Sequence, residues 1–101
     1  MKTLAVKPQG EFEVIATTSR AQAATMVLAP GESTGGPDNR HAASDQWLYV
    51  TGGRGYAVVE GRRVGLEPGT LLLIEAGEGH EIVNDGDEPL ASLNIYAPPE
   101  Y

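Results

Sequence analysis

Glycine, proline and aspartate interrupt this chain so often that no amphipathic helix has room to form. Thirteen Gly and seven Pro are spread over 101 residues. Nowhere do apolar residues recur with a 3.6-residue period over eleven or more positions. Between the breaks lie short segments rich in Val, Ile, Leu, Thr and Tyr, the composition of strands bounded by turns. They predict strands at residues 4–6, 12–17, 25–29, 46–50, 56–59, 62–66, 70–74, 81–83 and 90–96, with room for a single helical turn at 20–25. Short strands separated by a turn signal every 8–12 residues or so imply an all-β sandwich or barrel.

The turns have identifiable mechanisms. Glu60-Gly61 sits between Val59 and Arg62 as a tight hairpin. In Glu67-Pro68-Gly69 the proline fixes φ and the glycine accepts the left-handed region. Gly52-Gly53-Arg54-Gly55 separates two strands, and residues 85–89 form a longer polar turn. Residues 31–44 stand apart, being polar, Gly-rich and long for a loop in a compact all-β domain. Loops of that kind are usually functional or disordered.

The length is that of one domain, which leaves no room for a second, cofactor-binding one. Fourteen Asp and Glu against seven Lys and Arg give a net charge of −7, which argues against nucleic acid as a partner. The longest apolar run is Leu71-Leu72-Leu73-Ile74, far short of the roughly 20 residues that span a bilayer. The first residues lack the apolar core of a signal peptide, so the expectation is a cytoplasmic protein without a membrane partner. The absence of Cys excludes disulfides, thiolate metal ligands and a cysteine nucleophile. There is no Ser-His-Asp order and no phosphate-binding loop.

Chemistry near neutral pH therefore falls to two imidazoles, His41 and His80. Asp45 is the carboxylate nearest to His41 in sequence, and the backbone from 41 to 45 must bend for both to reach one point. Two histidines and a carboxylate with open positions would suit a divalent metal. The bland alternative is that both are solvated or capping residues.

The spacing around both histidines follows a pattern. Gly69 is followed after five residues by Glu75, then by Gly77, His80 and Asn84. Upstream, Asn39 and His41 are followed by Asp45 and, six residues later, by Gly52. This pair resembles the two motifs of the cupins, small β-barrel proteins. In their second motif Pro stands where this chain has Glu75. In their first, a His and a Glu stand where it has Asn39 and Asp45, with three or four residues between the second His and the Glu. The motif region spans 31–84, and the final strand ending in Ala97-Pro98-Pro99 is also cupin-like.

The resemblance implies a single all-β domain over 1–101, a double-stranded β-helix or cupin jelly-roll barrel. It implies one divalent metal, Fe, Mn, Ni or Zn, inside the barrel, with His41, Asp45 and His80 as ligands and Asn39 in place of a histidine. It also implies a small-molecule ligand or substrate and a homodimer, paired or packed through residues 12–15 or 26–28. Cupins include dioxygenases, isomerases, epimerases, decarboxylases and proteins that only bind or sense ligands. The expected function is a metal-centred small-molecule site; the alternatives are a non-enzymatic binding module and a metal-free dimeric domain.

Period-two alternation places Trp47 and Tyr49 on the face of Asp45, lining the pocket if Asp45 faces inward, and leaves Gln46 opposite as a reserve ligand. His80, Ile82 and Asn84 share one face, and Tyr96 or Ile95 points inward on the last strand. Glu75, Glu78 and Glu81 surround His80, near enough in sequence to hydrogen-bond its second nitrogen, and Glu75 is expected at the pocket.

Overall fold

The computed structural model describes residues 1–36 and 39–101, so Pro37 and Asp38 of the long loop lie outside the described residues. The described residues form eight strands: β1 (Phe12–Thr17), β2 (Gln22–Leu28), β3 (Asp45–Gly52), β4 (Gly55–Val59), β5 (Arg62–Leu66), β6 (Leu71–Ile74), β7 (His80–Val83) and β8 (Leu90–Ala97). Among the described residues there is no helix. All pairings between strands are antiparallel, in a five-stranded sheet ordered β1-β2-β8-β3-β6 and a three-stranded sheet ordered β5-β4-β7. The sheets close over one apolar core as the jelly-roll barrel expected. Met26, Leu28, Leu48 and Val50 enter it from the larger sheet, and Ala57, Leu66 and Ile82 from the smaller.

Two elements differ from the sequence reading. Residues 4–6 form no strand; no neighbouring strand pairs with them, and Leu4 and Val6 stay exposed. Residues 20–25 make no helical turn. The Thr18 hydroxyl accepts from the backbone N–H groups of Arg20 and Ala21, and the Thr18 N–H donates to the Ala21 carbonyl at 2.8 Å. This local hydroxyl-to-backbone pattern closes a tight hairpin, so β2 starts at Gln22.

The segment after β2 is not a free loop. Residues 31–34 and 39 lie along the edge of β7 that β4 leaves open. Gly31 N–H donates to the Asn84 carbonyl, Asn84 N–H to Glu32, Thr34 N–H to Ile82, and His80 N–H to Asn39, each at 2.8–3.0 Å. The chain thus behaves as an irregular extra strand, and this ladder carries Asn39 and His41 to the barrel mouth beside His80.

The turn between β3 and β4 is fixed by close approach. Gly53 has φ +80°, and a Cβ there would collide with the Pro89 carbonyl. Gly61, in the β4–β5 hairpin, also has positive φ (+75°) but open space around it. Gly61→Ala is therefore expected to cost about 1 kcal/mol, the backbone term alone. Gly53→Ala should cost about 3 kcal/mol or more, because the Pro89 backbone must also move. Urea denaturation of both variants checks this; equal losses would contradict it.

Candidate metal and ligand site

The two histidines meet. Their ring centroids are 5.0 Å apart, and both side chains are buried. His41 is held at both nitrogens. Its Nδ1 lies 3.0 Å from Glu100 Oε1, and its Nε2 lies 3.1 Å from Gln46 Oε1. Glu100 is itself positioned by Ser44, whose hydroxyl reaches Glu100 Oε2 at 3.1 Å and the Pro98 carbonyl at 2.7 Å. His80 Nδ1 lies 3.2 Å from the Glu78 carbonyl, which fixes that nitrogen as the donor. A histidine whose Nδ1–H is taken by an oxygen presents the lone pair of Nε2, the arrangement that metal-binding histidines use.

Gln46 reaches the site because of strand parity. In β3 the inward residues are Gln46, Leu48 and Val50, opposite Tyr96, Asn94 and Ser92 of β8, all buried. The expectation that Asp45, Trp47 and Tyr49 face the interior is therefore corrected. A one-residue change of register moves every side chain to the other face, and both faces of β3 are apolar enough for the pattern to be ambiguous. Asp45 instead accepts the Ala76 N–H at 2.9 Å and caps the turn before β7. Trp47 and Tyr49 lie on the outer face, 41% and 43% exposed. Glu75 is also displaced from the expected pocket: it is exposed, and its N–H donates to the Glu78 carboxylate.

Asn39, Ile82 and Tyr96 do line the cavity beside the histidines, whose volume is about 230 Å³. Burial pushes the Tyr96 hydroxyl well above the usual phenol range, against a smaller opposing effect of Asn94, so it stays a neutral donor. The inner face of β8 continues as a polar line, Ser92 hydroxyl to Asn94 and Asn94 amide to the Tyr96 oxygen. Glu100 and Tyr101 were not legible from the sequence. Tyr101 packs on Phe12 at 4.8 Å and on Tyr96 at 5.2 Å, and the Gln22 side chain holds its backbone through both N–H and carbonyl. The signal for Gln46 was present, since a four-residue spacing after His41 ends on it.

The profile of the Cupin domain family matches residues 24–96. This chain is a cupin. It is 33% identical over 70 residues to gentisate 1,2-dioxygenase of Ralstonia sp., covering 69% of this cupin and 19% of that protein. It is 39% identical over 64 residues to the tetracenomycin polyketide synthase protein TcmJ of Streptomyces glaucescens, covering 63% and 42% respectively. This cupin thus spans less than half the length of either curated relative. Among solved structures, the Bacillus halodurans protein BH2720 superposes with a TM-score of 0.81 at 31% identity, over 87% of this cupin and 70% of that chain.

Cupins commonly bind metals, and the donor set here can be tested against one. No cluster of three His, Cys, Asp or Glu suited to a metal occurs among the described residues. The donors are two imidazoles and an amide oxygen. With Nδ1–H given to Glu100, His41 Nε2 carries a lone pair aimed at Gln46 Oε1, another lone-pair atom, 3.1 Å away. A proton or a metal ion shared between the two atoms satisfies this contact, as does a Gln46 amide turned to donate its N–H to His41 Nε2. Two imidazoles and a neutral oxygen fit a borderline-soft divalent ion.

The His80 pKa is lowered, first by burial and then by the proximity of His41, with the Glu78 carbonyl opposing. The unfolded chain therefore takes up this proton first, from about pH 6.5 downward. Stability is full above that value and falls as pH drops toward the lower folded-state pKa. Relative to His80→Gln, the parent should lose stability between pH 7 and 5.5 in denaturant titrations. Parallel profiles would contradict the burial argument.

Proposed function

We propose that this cupin binds a small oxygen-bearing molecule at a divalent metal centre formed by His41, His80 and the Gln46 amide oxygen, with Asn39 at its edge. The observation that carries the reading is the pair of lone-pair atoms, His41 Nε2 and Gln46 Oε1, facing each other with His80 alongside. When bound, a divalent ion supplies a Lewis acid for an oxygen of the ligand. Glu100 and Ser44 orient His41, the Glu78 carbonyl orients His80, and the neutral Tyr96 hydroxyl offers a hydrogen bond inside the cavity. The same lone-pair contact also suits a second reading. With the Gln46 amide turned to donate its N–H to His41 Nε2, the contact is satisfied without any ion, leaving a purely organic binding site.

Elemental analysis of protein purified without chelator, followed by Mn, Fe, Ni and Zn titration, separates the two. His41→Ala and His80→Ala should each lower metal affinity at least about tenfold, and Glu100→Gln about tenfold by loosening His41. Gln46→Glu should raise affinity by adding charge. Asp45→Asn should leave it within about twofold, because that carboxylate faces the 75–78 turn; this figure sits well inside the effect of losing a ligand. A parent that binds none of the four metals at saturation removes the metal and leaves the organic site.

The outer face of the larger sheet bears on assembly. Trp47 stands opposite Leu73, and Tyr49 opposite Leu71, with Ile95 and Leu93 on the other flank. Leu71 and Leu73 are 58% and 39% exposed, comparable to the two aromatics. An uncharged apolar face of this kind on a chain of net charge −7 suits a second copy of itself, since the rest of the surface repels like charge. Residues 26–28 offer no open edge for pairing, because β2 lies between β1 and β8 and Met26 and Leu28 point into the core. Light scattering at micromolar concentration should give twice the monomer mass, and Trp47→Glu with Leu71→Glu should give the monomer mass. A monomeric parent overturns this assignment.

A further inference from the structure

The first ten residues have a strand pattern but no strand to pair with. Leu4 and Val6 alternate with Thr3 and Ala5, yet both apolar side chains are exposed. Among the described residues no backbone hydrogen bond ties positions 1–10 to the barrel. The same segment holds both lysines of the chain, Lys2 and Lys7, and no carboxylate. It is a basic arm on an acidic protein.

The strand β6 has the complementary problem. It ends the larger sheet, so every second N–H and C=O along it points away from β3. Its residues, Leu71-Leu72-Leu73-Ile74, are all apolar, and an open apolar edge invites another strand. Beside it lies a groove with Leu72 on one side and Val59 and Val64 of the β4–β5 hairpin on the other. Glu60, Glu75 and Glu78 border the groove against Arg62 and Arg63, and Arg63 is turned to Tyr56 and Asp85. The other open edges suit the arm less. β5 starts with Arg62 and Arg63, like charges for the arm, and β1 is broken by a bulge between Val14 and Ala16.

The arm cannot reach β6 of its own chain. The Val27 N–H holds the Glu11 carbonyl at 3.0 Å, which anchors the chain at Glu11. From Glu11 to Val6 is five residues, at most about 18 Å when fully extended. β1 and β6 are opposite edges of the sheet, and a strand added beyond β6 lies five strand spacings from β1, about 24 Å. The path over the outer face is no shorter, and the inner path is filled by the core. A second copy removes the difficulty. When two outer faces pack about a two-fold axis parallel to the strands, β1 of one copy lies over β6 of the other, about 10 Å away. Gly10, with φ +73°, supplies the turn toward it.

Resting on the reading that a second copy covers this outer face, we propose that residues 3–6 pair antiparallel with β6 of the second copy, as an exchanged strand of its larger sheet. Leu4 then stands opposite Leu73, and Val6 opposite Leu71, extending the outer rows that Trp47 and Tyr49 begin. The smaller Thr3 and Ala5 face inward, opposite Ile74 and Leu72. Lys2 falls opposite Glu75 on the outer face, a cross-strand ion pair that the parallel orientation forfeits. Pro8, which has no N–H, ends the pairing.

Cross-linking tests the register. Leu4→Cys combined with Leu73→Cys, in a chain with no other cysteine, should oxidise to a covalent pair of chains on a denaturing gel, because opposed Cα atoms stand about 5.5 Å apart. Leu4→Cys with Leu71→Cys, two residues out of register, should give at least about fivefold less of it, and Leu4→Cys alone should stay at the mass of one chain. Val6→Pro should raise the dimer dissociation constant at least about tenfold, measured by sedimentation on dilution. Lys2→Glu should raise it about threefold, and Lys2→Glu with Glu75→Lys should return it to within about twofold of the parent. A disulfide closed within one chain, equal cross-linking at 71 and 73, or a dimer indifferent to Val6→Pro overturns the proposal. If that indifferent dimer is lost in Trp47→Glu with Leu71→Glu, the outer face remains the interface and only the exchanged strand falls. A monomeric parent overturns both.

Discussion

The site depends on one ladder, the backbone pairing of residues 31–34 and 39 along the open edge of β7. Without it β7 would expose a row of unpaired groups, and the segment carrying His41 would have no fixed position. The bonds from Thr34 N–H to Ile82 and from His80 N–H to Asn39 set the register, and the Gly77 N–H to the His41 carbonyl closes it at 2.8 Å. Because Asn39 and His80 share a backbone hydrogen bond, their side chains emerge at the same level of the barrel. The meeting of the two imidazoles follows from β-sheet register and needs no special contact of their own.

Much of this was legible along the chain. Gly and Pro punctuation located all eight strands within a few residues, because a tight turn such as Glu60-Gly61, with φ of +48° and +75°, accepts few other residues. The spacing around His80 placed it correctly, since a strand face repeats every two residues and Ile82 and Asn84 fall inward with it. Parity in β3 was not legible. Trp47 and Tyr49 on one face and Leu48 and Val50 on the other satisfy the alternation equally, and only pairing with β8 decides between them. Glu100 was illegible for another reason. It contacts His41 from 59 residues away, and no local pattern marks a contact of that range.

The chemistry of the site is set by which polar groups are left neutral. Fourteen acidic residues give this chain its charge, yet the polar side chains buried in the barrel are hydroxyls, amides and imidazoles. Asn84 shows how such a group is accommodated. Its amide donates to the Leu28 and Glu88 carbonyls, and its oxygen accepts from Gly86 N–H. Gln46 differs, since its amide faces His41 Nε2, a contact that either a shared cation or the turned amide N–H satisfies. Amides at Asn39 and Gln46 leave the protein contributing no negative charge at the point where the side chains of His41 and His80 meet. Glu100 then acts through the imidazole, one bond-length of influence removed from the pocket.

The single tryptophan lies on the far side of the sheet from the cavity, whereas Tyr96 and Tyr101 form the cavity wall. The one indole, with Tyr49 beside it, therefore marks the outer face, whereas the cavity wall carries phenyl and phenol rings and no indole. Indole emission registers what covers the outer sheet and is insulated by a layer of backbone from what enters the barrel. The ring-proton resonances of Tyr96 and Tyr101 register the interior. Occupancy and assembly can be followed in one sample by those resonances and by indole emission, without introducing a label.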